Sequence, residues 1–443
     1  MLGENTFKPV QESERISSID TLRGVSLLGI LIVNIQVFAY PSTTLFNPMT
    51  YGDFTGLNQG AWTFVYLFFN QKMMTIFSML FGAGVILMHQ RAVAKDVNFC
   101  SVYYRRLLWL FLIGMVHAYL IWYGDILVPY ALCGLLLYPM RKLKPVWLIT
   151  IGIFALLIGM SIMMASGFFF TYVKKQFDAV AAAEAEGREP SQQEKEFAKV
   201  YEEIKTGFSP TEEIIQDEID AMTSSYPDMV SRRFLFTLIM QFQSTLFYLG
   251  WRALGMMLIG MALMKLGIFS AEKSLKFYIG MSVIGYAVGL TLTGLGASGL
   301  IEQKFNFAYY FREGSHFDYI GSVIATFGHV GFVMAICKTG ALKWLRERLA
   351  AVGRMAFTNY LTESILMTFV FYGWGLGYFA QIDRFNQLFL VLGVWVLILI
   401  ISPIWLRHFK YGPAEWLWRS LTYREKQPFR RNKEQIDVMP ESK

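Results

Sequence analysis

Ten stretches of this chain stay apolar for long enough, or nearly so, to cross the ~30 Å hydrocarbon core of a bilayer at about 1.5 Å per helical residue. They lie near residues 20–40, 61–90, 106–123, 125–140, 145–170, 233–264, 275–296, 317–338, 354–374 and 386–406. Lipid offers no partner to backbone N–H and C=O groups, so such stretches must be helices. The expectation is an all-α polytopic membrane protein with about ten transmembrane helices. Composition agrees: 54% of the 443 residues are hydrophobic and 16% are charged, against about 25% charged in soluble domains. The fourth stretch is short and follows the third after only Gly124, so it reads as tilted or partly re-entrant. The second and sixth are long enough to be broken or to run past the bilayer. The polar start, and Asp20 and Arg23 at the mouth of the first apolar run, leave no cleavable signal peptide evident.

Charge sets the expected orientation. The net +7 conceals an acidic segment, 171–231, with 14 acidic and 6 basic residues. Alternate short loops hold the basic residues: Lys8 and Arg15; Arg91, Lys95, Arg105 and Arg106; Arg141, Lys142 and Lys144; Lys265, Lys273 and Lys276; Lys338, Lys343, Arg346, Arg348 and Arg354; then Arg407, Lys410 and Arg419. The intervening loops carry almost none. By the positive-inside rule the chain sits in the cytoplasmic membrane with both termini cytoplasmic. The acidic segment then falls outside as an extracytoplasmic helical insertion, with breaks at Gly187–Pro190 and Gly207–Pro210. It reads either as a solvated cap or as a lid over an outward-opening site. The expected division is a membrane half over 1–170, the insertion over 171–231, a second membrane half over 232–423, and a cytoplasmic tail over 424–443.

The basic loops explain the high pI, which excludes a nucleic-acid partner. Cys100, Cys133 and Cys337 are widely spaced, and the five histidines form no HExxH motif, so neither a disulfide framework nor a metal site is expected.

Chemistry must then come from polar residues inside the spans. At 100° per residue, Asp20, Arg23, Leu27, Ile30 and Asn34 form one stripe of the first helix, which should face the protein interior. Either Asp20 caps the helix and Asn34 bonds a neighbour, or this helix forms one wall of a reaction or transport site. In the third span Arg106 and His117 are 11 residues apart, as are Arg23 and Asn34. Eleven residues return a helix to within about 20° of the same face and raise it about 16.5 Å. Both helices run outward, so Asn34 and His117 should lie at similar depth. His117 is either a hydrogen-bonded structural imidazole or a general base. Asp125 either caps the fourth span or folds back to orient His117. Eight residues of continuous helix would separate these two by about 12 Å, so contact requires the turn at Gly124.

Further polar groups lie deeper in the chain. Arg252 sits in an apolar run and needs an acceptor, whether Glu363, Asp125 or a bound anion. His329 is mid-span, and Glu363 lies about nine residues into the ninth segment. Phe81-Gly82-Ala83-Gly84 allows two helices to approach closely.

The chain resembles the YeiB-like bacterial membrane proteins over nearly its whole length. The likeness rests on Asp20-Thr21-Leu22-Arg23-Gly24, His117 with Tyr123-Gly124-Asp125, Gly353–Leu361, Gly375-Leu376-Gly377, and Tyr411-Gly412-Pro413-Ala414-Glu415-Trp416-Leu417-Trp418. The opening span is also distantly similar to transmembrane heparan-glucosaminide acetyltransferases, and Asn34 matches one of their active-site residues. Their following segment carries a His, whereas residues 41–60 here hold Tyr51 and Asp53 and no His, so His117 takes that role by depth. The resemblance implies a membrane acyltransferase. His117 would deprotonate the acceptor, Asn34 would hold the carbonyl oxygen or acceptor, and Asp125 would orient His117. Arg23, Arg105 and Arg106 would bind an acyl-CoA donor that is not held permanently. The expected partners are membrane lipids and a small-molecule, glycan or lipid acceptor. The rival reading is a transporter or lipid/quinone-binding protein in which Arg252, Glu363 and His329 serve substrate or protons.

Overall fold

The computed structural model describes residues 14–431. The polar start through residue 13, with Lys8, and residues 432–443 of the expected tail lie outside the described residues. Those described are almost entirely helical, with one isolated antiparallel bridge between Phe409 and Arg430. The helices in chain order are α1 (Ser17–Ala39), α2 (Gly56–Phe68), α3 (Lys72–Ala94), α4 (Cys100–Val116), α5 (Leu127–Met140), α6 (Pro145–Ala185), α7 (Gln192–Phe208), α8 (Glu212–Thr223) and α9 (Tyr226–Ser244). There follow α10 (Gly250–Lys265), α11 (Leu275–Glu302), the single turn α12 (Phe307–Tyr309), α13 (Ser315–Thr339), α14 (Lys343–Arg354), α15 (Ala356–Phe371), α16 (Arg384–His408) and α17 (Pro413–Tyr423). Three π-helical turns, His117–Ile121, Thr245–Leu249 and Tyr310–Gly314, continue α4, join α9 to α10, and join α12 to α13.

Among the described residues, eight helical segments are long and apolar enough to cross a membrane: α1, α2–α3, α4 with its π turn, α6, α9–α10, α11, α12–α13 and α16. The protein is an all-α polytopic membrane protein. The other two of the ten expected stretches form shorter helices. The stretch at 125–140 becomes the 14-residue α5, because Asp125 and Ile126 are spent on the turn that precedes it. The stretch at 354–374 becomes the 16-residue α15, because Tyr372 leaves the helix in an extended conformation. Their lengths of about 21 and 24 Å fall short of the hydrocarbon core. The second stretch is broken, as its length allowed: α2 and α3 part at Phe69–Gln71, where Gln71 takes a left-handed φ of 60°.

Burial sorts the long helices into a centre and a rim. Two-thirds of the apolar windows of α1 and of α9–α10 are buried (67% each), against 17% for α16. The centre is Met-rich, with Met73, Met79, Met256, Met257 and Met261 at 2% exposure or less. Two close crossings hold it together. A Cβ on Gly82 would collide with the Met257 carbonyl, and one on Gly260 with the Met79 carbonyl, so α3 and α10 touch backbone to backbone. Gly24 and Gly353 stand in the same relation to the carbonyls of Leu349 and Asp20 and join α1 to α14.

The acidic segment is helical with breaks where Gly and Pro mark them. The 41-residue α6 is about 61 Å long, twice the hydrocarbon core, and continues well beyond its apolar part. A capping box, Ser191 with Glu194, opens α7. Glu218 on α8 accepts from the Ser42 backbone N–H at 2.8 Å and from its hydroxyl at 3.1 Å, tying the insertion to the loop after α1.

Candidate functional site

A cavity of about 270 Å³ opens at the basic end of the bundle and runs inward between α1, α3, α4, α5 and α15. Arg15, Arg23, Arg91, Arg106, Arg354 and Arg419 line its mouth, with Glu14, Asp20 and Glu415 as the carboxylates. Farther in the lining turns apolar, with Ile30, Phe77, Phe81, Leu110, Leu127 and Tyr130. An excess of guanidinium groups at the mouth and hydrocarbon behind it suits an anionic amphiphile. The stripe expected on α1 faces this space, since Asp20, Arg23 and Ile30 all line it.

The mouth is built by pairing and stacking. Asp20 does not cap α1, which begins at Ser17; it accepts from Arg23 at 2.8 Å and Arg15 at 3.0 Å. Arg106 lies on the face of Trp418, 4.4 Å from its centroid, and Arg419 lies 4.7 Å from that of Tyr411. Held by aromatic faces, these two guanidiniums keep N–H groups available to a ligand. Both stacking partners come from the C-terminal motif that sequence reading took only as a family mark. Its helix, α17, closes one side of the cavity: the Trp418 indole donates to the Arg106 carbonyl at 2.9 Å. The Glu415 carboxylate accepts from the backbone N–H groups of Phe357 at 2.7 Å and Thr358 at 3.1 Å, and from the Thr358 hydroxyl. Glu415 thus caps α15 from another helix. Burial pushes its carboxyl above the usual range, and these bonds oppose that shift. Arg105 stands apart from the cavity, donating to the Thr422 carbonyl at 2.9 Å and facing the opposite side of α17.

The inner end is closed by Tyr360, whose ring centroid is 5.1 Å from that of His117. His117 Nδ1 is 2.9 Å from Asp125 Oδ1, and Nε2 is 2.9 Å from Ser364 Oγ. The second Asp125 oxygen accepts the Val128 N–H at 2.8 Å. Asp125 therefore fills both roles considered for it, capping α5 with one oxygen and orienting His117 with the other. The local sequence makes this feasible. The π turn at His117–Ile121 ends at Trp122, whose N–H bonds the His117 carbonyl at 2.8 Å, and the chain reverses over Gly124. A Cβ on Gly124 would strike the Trp122 ring, so glycine here lets that ring pack over the reversal. His117 and Ser364 are each 1% exposed, and Asp125 is 5% exposed.

The other expected site residues are dispersed. Asn34 is half-buried one turn beyond Ile30 on the same face of α1, and it is not a hydrogen-bond partner of His117. Glu363 is buried beside Ser364 with its Oε1 unpartnered. Arg252 does not pair with Glu363 or Asp125: it donates to the Tyr319 carbonyl at 3.2 Å and to the Thr75 and Ser322 hydroxyls at 3.0 and 2.8 Å. Helix packing sets α3 and α13 beside α10 at that level, and their polar atoms are nearer. His329 Nδ1 and Nε2 meet the carbonyls of Ala325 and Phe68 at 3.0 and 2.8 Å. Phe68 stands at the α2–α3 break, whose freed carbonyls also engage Lys72: its Nζ is 3.0 Å from the Tyr66 oxygen, 3.2 Å from that of Asn70 and 3.5 Å from Asp318 Oδ1. Sequence reading passed over this Lys72–Asp318 pair, Ser364, Tyr360 and α17. Polar flags inside apolar stretches could have marked Lys72 and Asp318, but a serine on a helix gives no signal of a distant partner.

Residues 263–425 match the family described as "Protein of unknown function (DUF418)". Over 426 residues the chain is 30% identical to the uncharacterized protein YeiB of Escherichia coli, covering 94% of this chain and 98% of the relative. The chain belongs to the YeiB-like family. The uncharacterized protein YxaH of Bacillus subtilis is 30% identical over 438 residues, or 96% of this chain and 98% of the relative. A 39.9 kDa protein of Bacillus acidopullulyticus is 26% identical over 427 residues, covering 96% and 99%. No solved structure matches the chain. In this YeiB-like protein Tyr360, Ser364 and Glu415 fall within the matched residues 263–425, while His117 and Asp125 lie outside them. The Ser–His–Asp contact therefore joins the N-terminal helices to the DUF418 region.

Proposed function

We propose that this YeiB-like protein is a membrane-bound acyltransferase, moving an acyl group from cytoplasmic acyl-CoA to a hydroxyl or amine acceptor from the outer side. The observation that carries this reading is the cavity: an arginine mouth, an apolar middle, and a His–carboxylate pair behind its closed end. Arg23 and Arg106 suit the donor's phosphates, and the apolar middle suits its acyl chain. His117, oriented by Asp125, would take the acceptor's proton as the acyl carbonyl is attacked, and that proton would leave with the CoA thiolate as the C–S bond breaks. Asn34 is the candidate to hold the carbonyl oxygen or the acceptor, on its likeness to the heparan-glucosaminide acetyltransferases. The basic loops flank the cavity mouth, which supports a donor entering from the cytoplasmic side.

A second reading, transport through the same bundle, draws on the buried Lys72–Asp318 pair and the broken α2–α3 segment, since charge beside a discontinuous helix is a common ion-pathway element. Two measurements on the purified protein separate the readings. Equilibrium binding of radiolabelled decanoyl-CoA is expected, weakened about tenfold or more by Arg23→Gln with Arg106→Gln, because one charge-assisted bond is worth about 1.5–3 kcal/mol. Release of CoA thiol in the presence of glucosamine is expected to fall about 10²–10⁴-fold in His117→Ala. No donor binding by the parent protein, or thiol release untouched by His117→Ala, overturns the enzyme reading.

A further inference from the structure

We infer that Ser364 is the acyl-carrying nucleophile of this site, so that transfer proceeds through an acyl-serine intermediate; this rests on the acyltransferase reading. Three side chains are already in order. Ser364 Oγ is 2.9 Å from His117 Nε2, and His117 Nδ1 is 2.9 Å from Asp125 Oδ1. The remaining Asp125 oxygen is occupied by the Val128 N–H. A carboxylate accepting on both oxygens calls for a proton on Nδ1, which leaves Nε2 bare to accept the serine hydroxyl. That hydroxyl has one proton and two acceptors, since Oγ also lies 3.1 Å from the Tyr360 carbonyl one turn back. A serine placed in a helix only to satisfy itself needs that backbone bond alone.

Beside this line of three are two buried donors with no acceptor. The Trp122 indole N–H and the Tyr360 hydroxyl both lack one, and their ring centroids lie 6.5 and 5.1 Å from the His117 ring. Trp122 is 1% and Tyr360 4% exposed. Unpartnered buried donors are costly unless something else uses them. Standing beside the His117 ring, they are the candidate donors to a tetrahedral oxyanion at Ser364. Tyr360 lines the cavity whereas His117, Asp125 and Ser364 do not, and its ring centroid is 5.1 Å from that of His117, so an acyl chain would have to pass the Tyr360 ring to reach Ser364.

In the first step the serine oxygen attacks the thioester carbonyl and its proton passes to His117 Nε2. The C–S bond then breaks, and His117 returns the proton to the departing thiolate. In the second step the acceptor's hydroxyl or amine attacks the serine ester, its proton passes to His117, and the ester C–O bond breaks as Ser364 regains a proton. No other reactant is needed.

The test uses the full chain in lipid nanodiscs and two probes. An alkyl fluorophosphonate is expected to modify Ser364, located by peptide mass spectrometry, with the rate at least about 10²-fold lower in His117→Ala. Decanoyl-CoA without acceptor is expected to leave about one base-labile acyl group per chain, absent in Ser364→Ala. Ser364→Cys guards against misfolding. Its thiol is expected to react with iodoacetamide faster than Cys100 and Cys337, and His117→Ala is expected to abolish that advantage. Thiol release that persists in Ser364→Ala, with no acyl group on the parent chain, overturns the serine step and leaves acyl transfer standing. Fluorophosphonate modification of Ser364 with no acylation by decanoyl-CoA keeps the nucleophile and overturns the CoA donor. An unmodified Ser364 under both probes, with Ser364→Cys no faster than the other cysteines, overturns the proposal outright.

Discussion

Individual residues in this bundle are distinguished by whether their partners have a second option. Arg252 donates to Thr75, Ser322 and Tyr319, yet the Thr75 hydroxyl also bonds the Gln71 carbonyl at 2.6 Å and the Ser322 hydroxyl bonds the Asp318 carbonyl. Lys72 differs in charge: it is fully buried and is the ionic partner of the Asp318 carboxylate, whose other hydrogen bond comes from the neutral Asn70 amide at 3.3 Å. It also holds carbonyls of the α2–α3 break. Removing one partner of a buried ion pair costs about 3–5 kcal/mol, whereas replacing a charge whose acceptors remain satisfied costs much less. Lys72→Met is therefore expected to destabilise the protein by about 3–5 kcal/mol and Arg252→Leu by less than half of that. Chemical denaturation in mixed micelles checks this, and the reverse order of the two variants would refute the account.

At the scale of elements, the short helices do what the long ones cannot. Long rods such as α6, α11 and α16 present most of their surface outward, while α5 and α15 end inside and bring their termini to the cavity. A helix terminus in the interior must have its free N–H groups satisfied, and for α15 that acceptor is Glu415 of α17. Glu415→Ala strands the N–H groups of Phe357 and Thr358, so a loss of about 1–3 kcal/mol is expected. Trp418 and Arg419 would shift with α17, so weaker decanoyl-CoA binding should accompany it. Glu415→Gln retains an acceptor oxygen and is expected to lose less of both. Equal losses in the two variants would mean that the carboxamide cannot take the cap.

The molecule as a whole has a polar axis: an arginine-rich cavity mouth at one end, and at the other an acidic helical insertion fixed to the loop after α1 by the Glu218–Ser42 contact. The alternation of basic loops predicts that the arginine end of this axis faces the cytoplasm. With Cys100, Cys133 and Cys337 replaced by alanine, a cysteine introduced at Glu194 is expected to react with a membrane-impermeant maleimide in intact cells. One introduced at Glu425 is expected to react only after permeabilisation. The opposite pattern would invert the topology and move the donor side with it.

Sequence alone was enough for whatever local pattern and hydropathy dictate. The all-helical class, the positions of the eight long apolar segments, the interior stripe of α1, the breaks in the acidic segment and the need for Gly124 to fold Asp125 back all depend on residues near one another in the chain. The same holds for the close approach at Gly82. Only tertiary structure decided which groups meet. Ser364 and His117 are 247 positions apart, and a helical serine looks the same whether it bonds its own backbone or an imidazole on another helix. Arg252 had carboxylates to choose from by charge, but packing placed hydroxyls and a carbonyl within 3.2 Å of it. The cap on α15 likewise comes from Glu415, 57 positions beyond the Thr358 N–H that it accepts. In lipid every buried polar group must find a partner, so the need is written in the sequence. Which partner answers is set by how the helices pack.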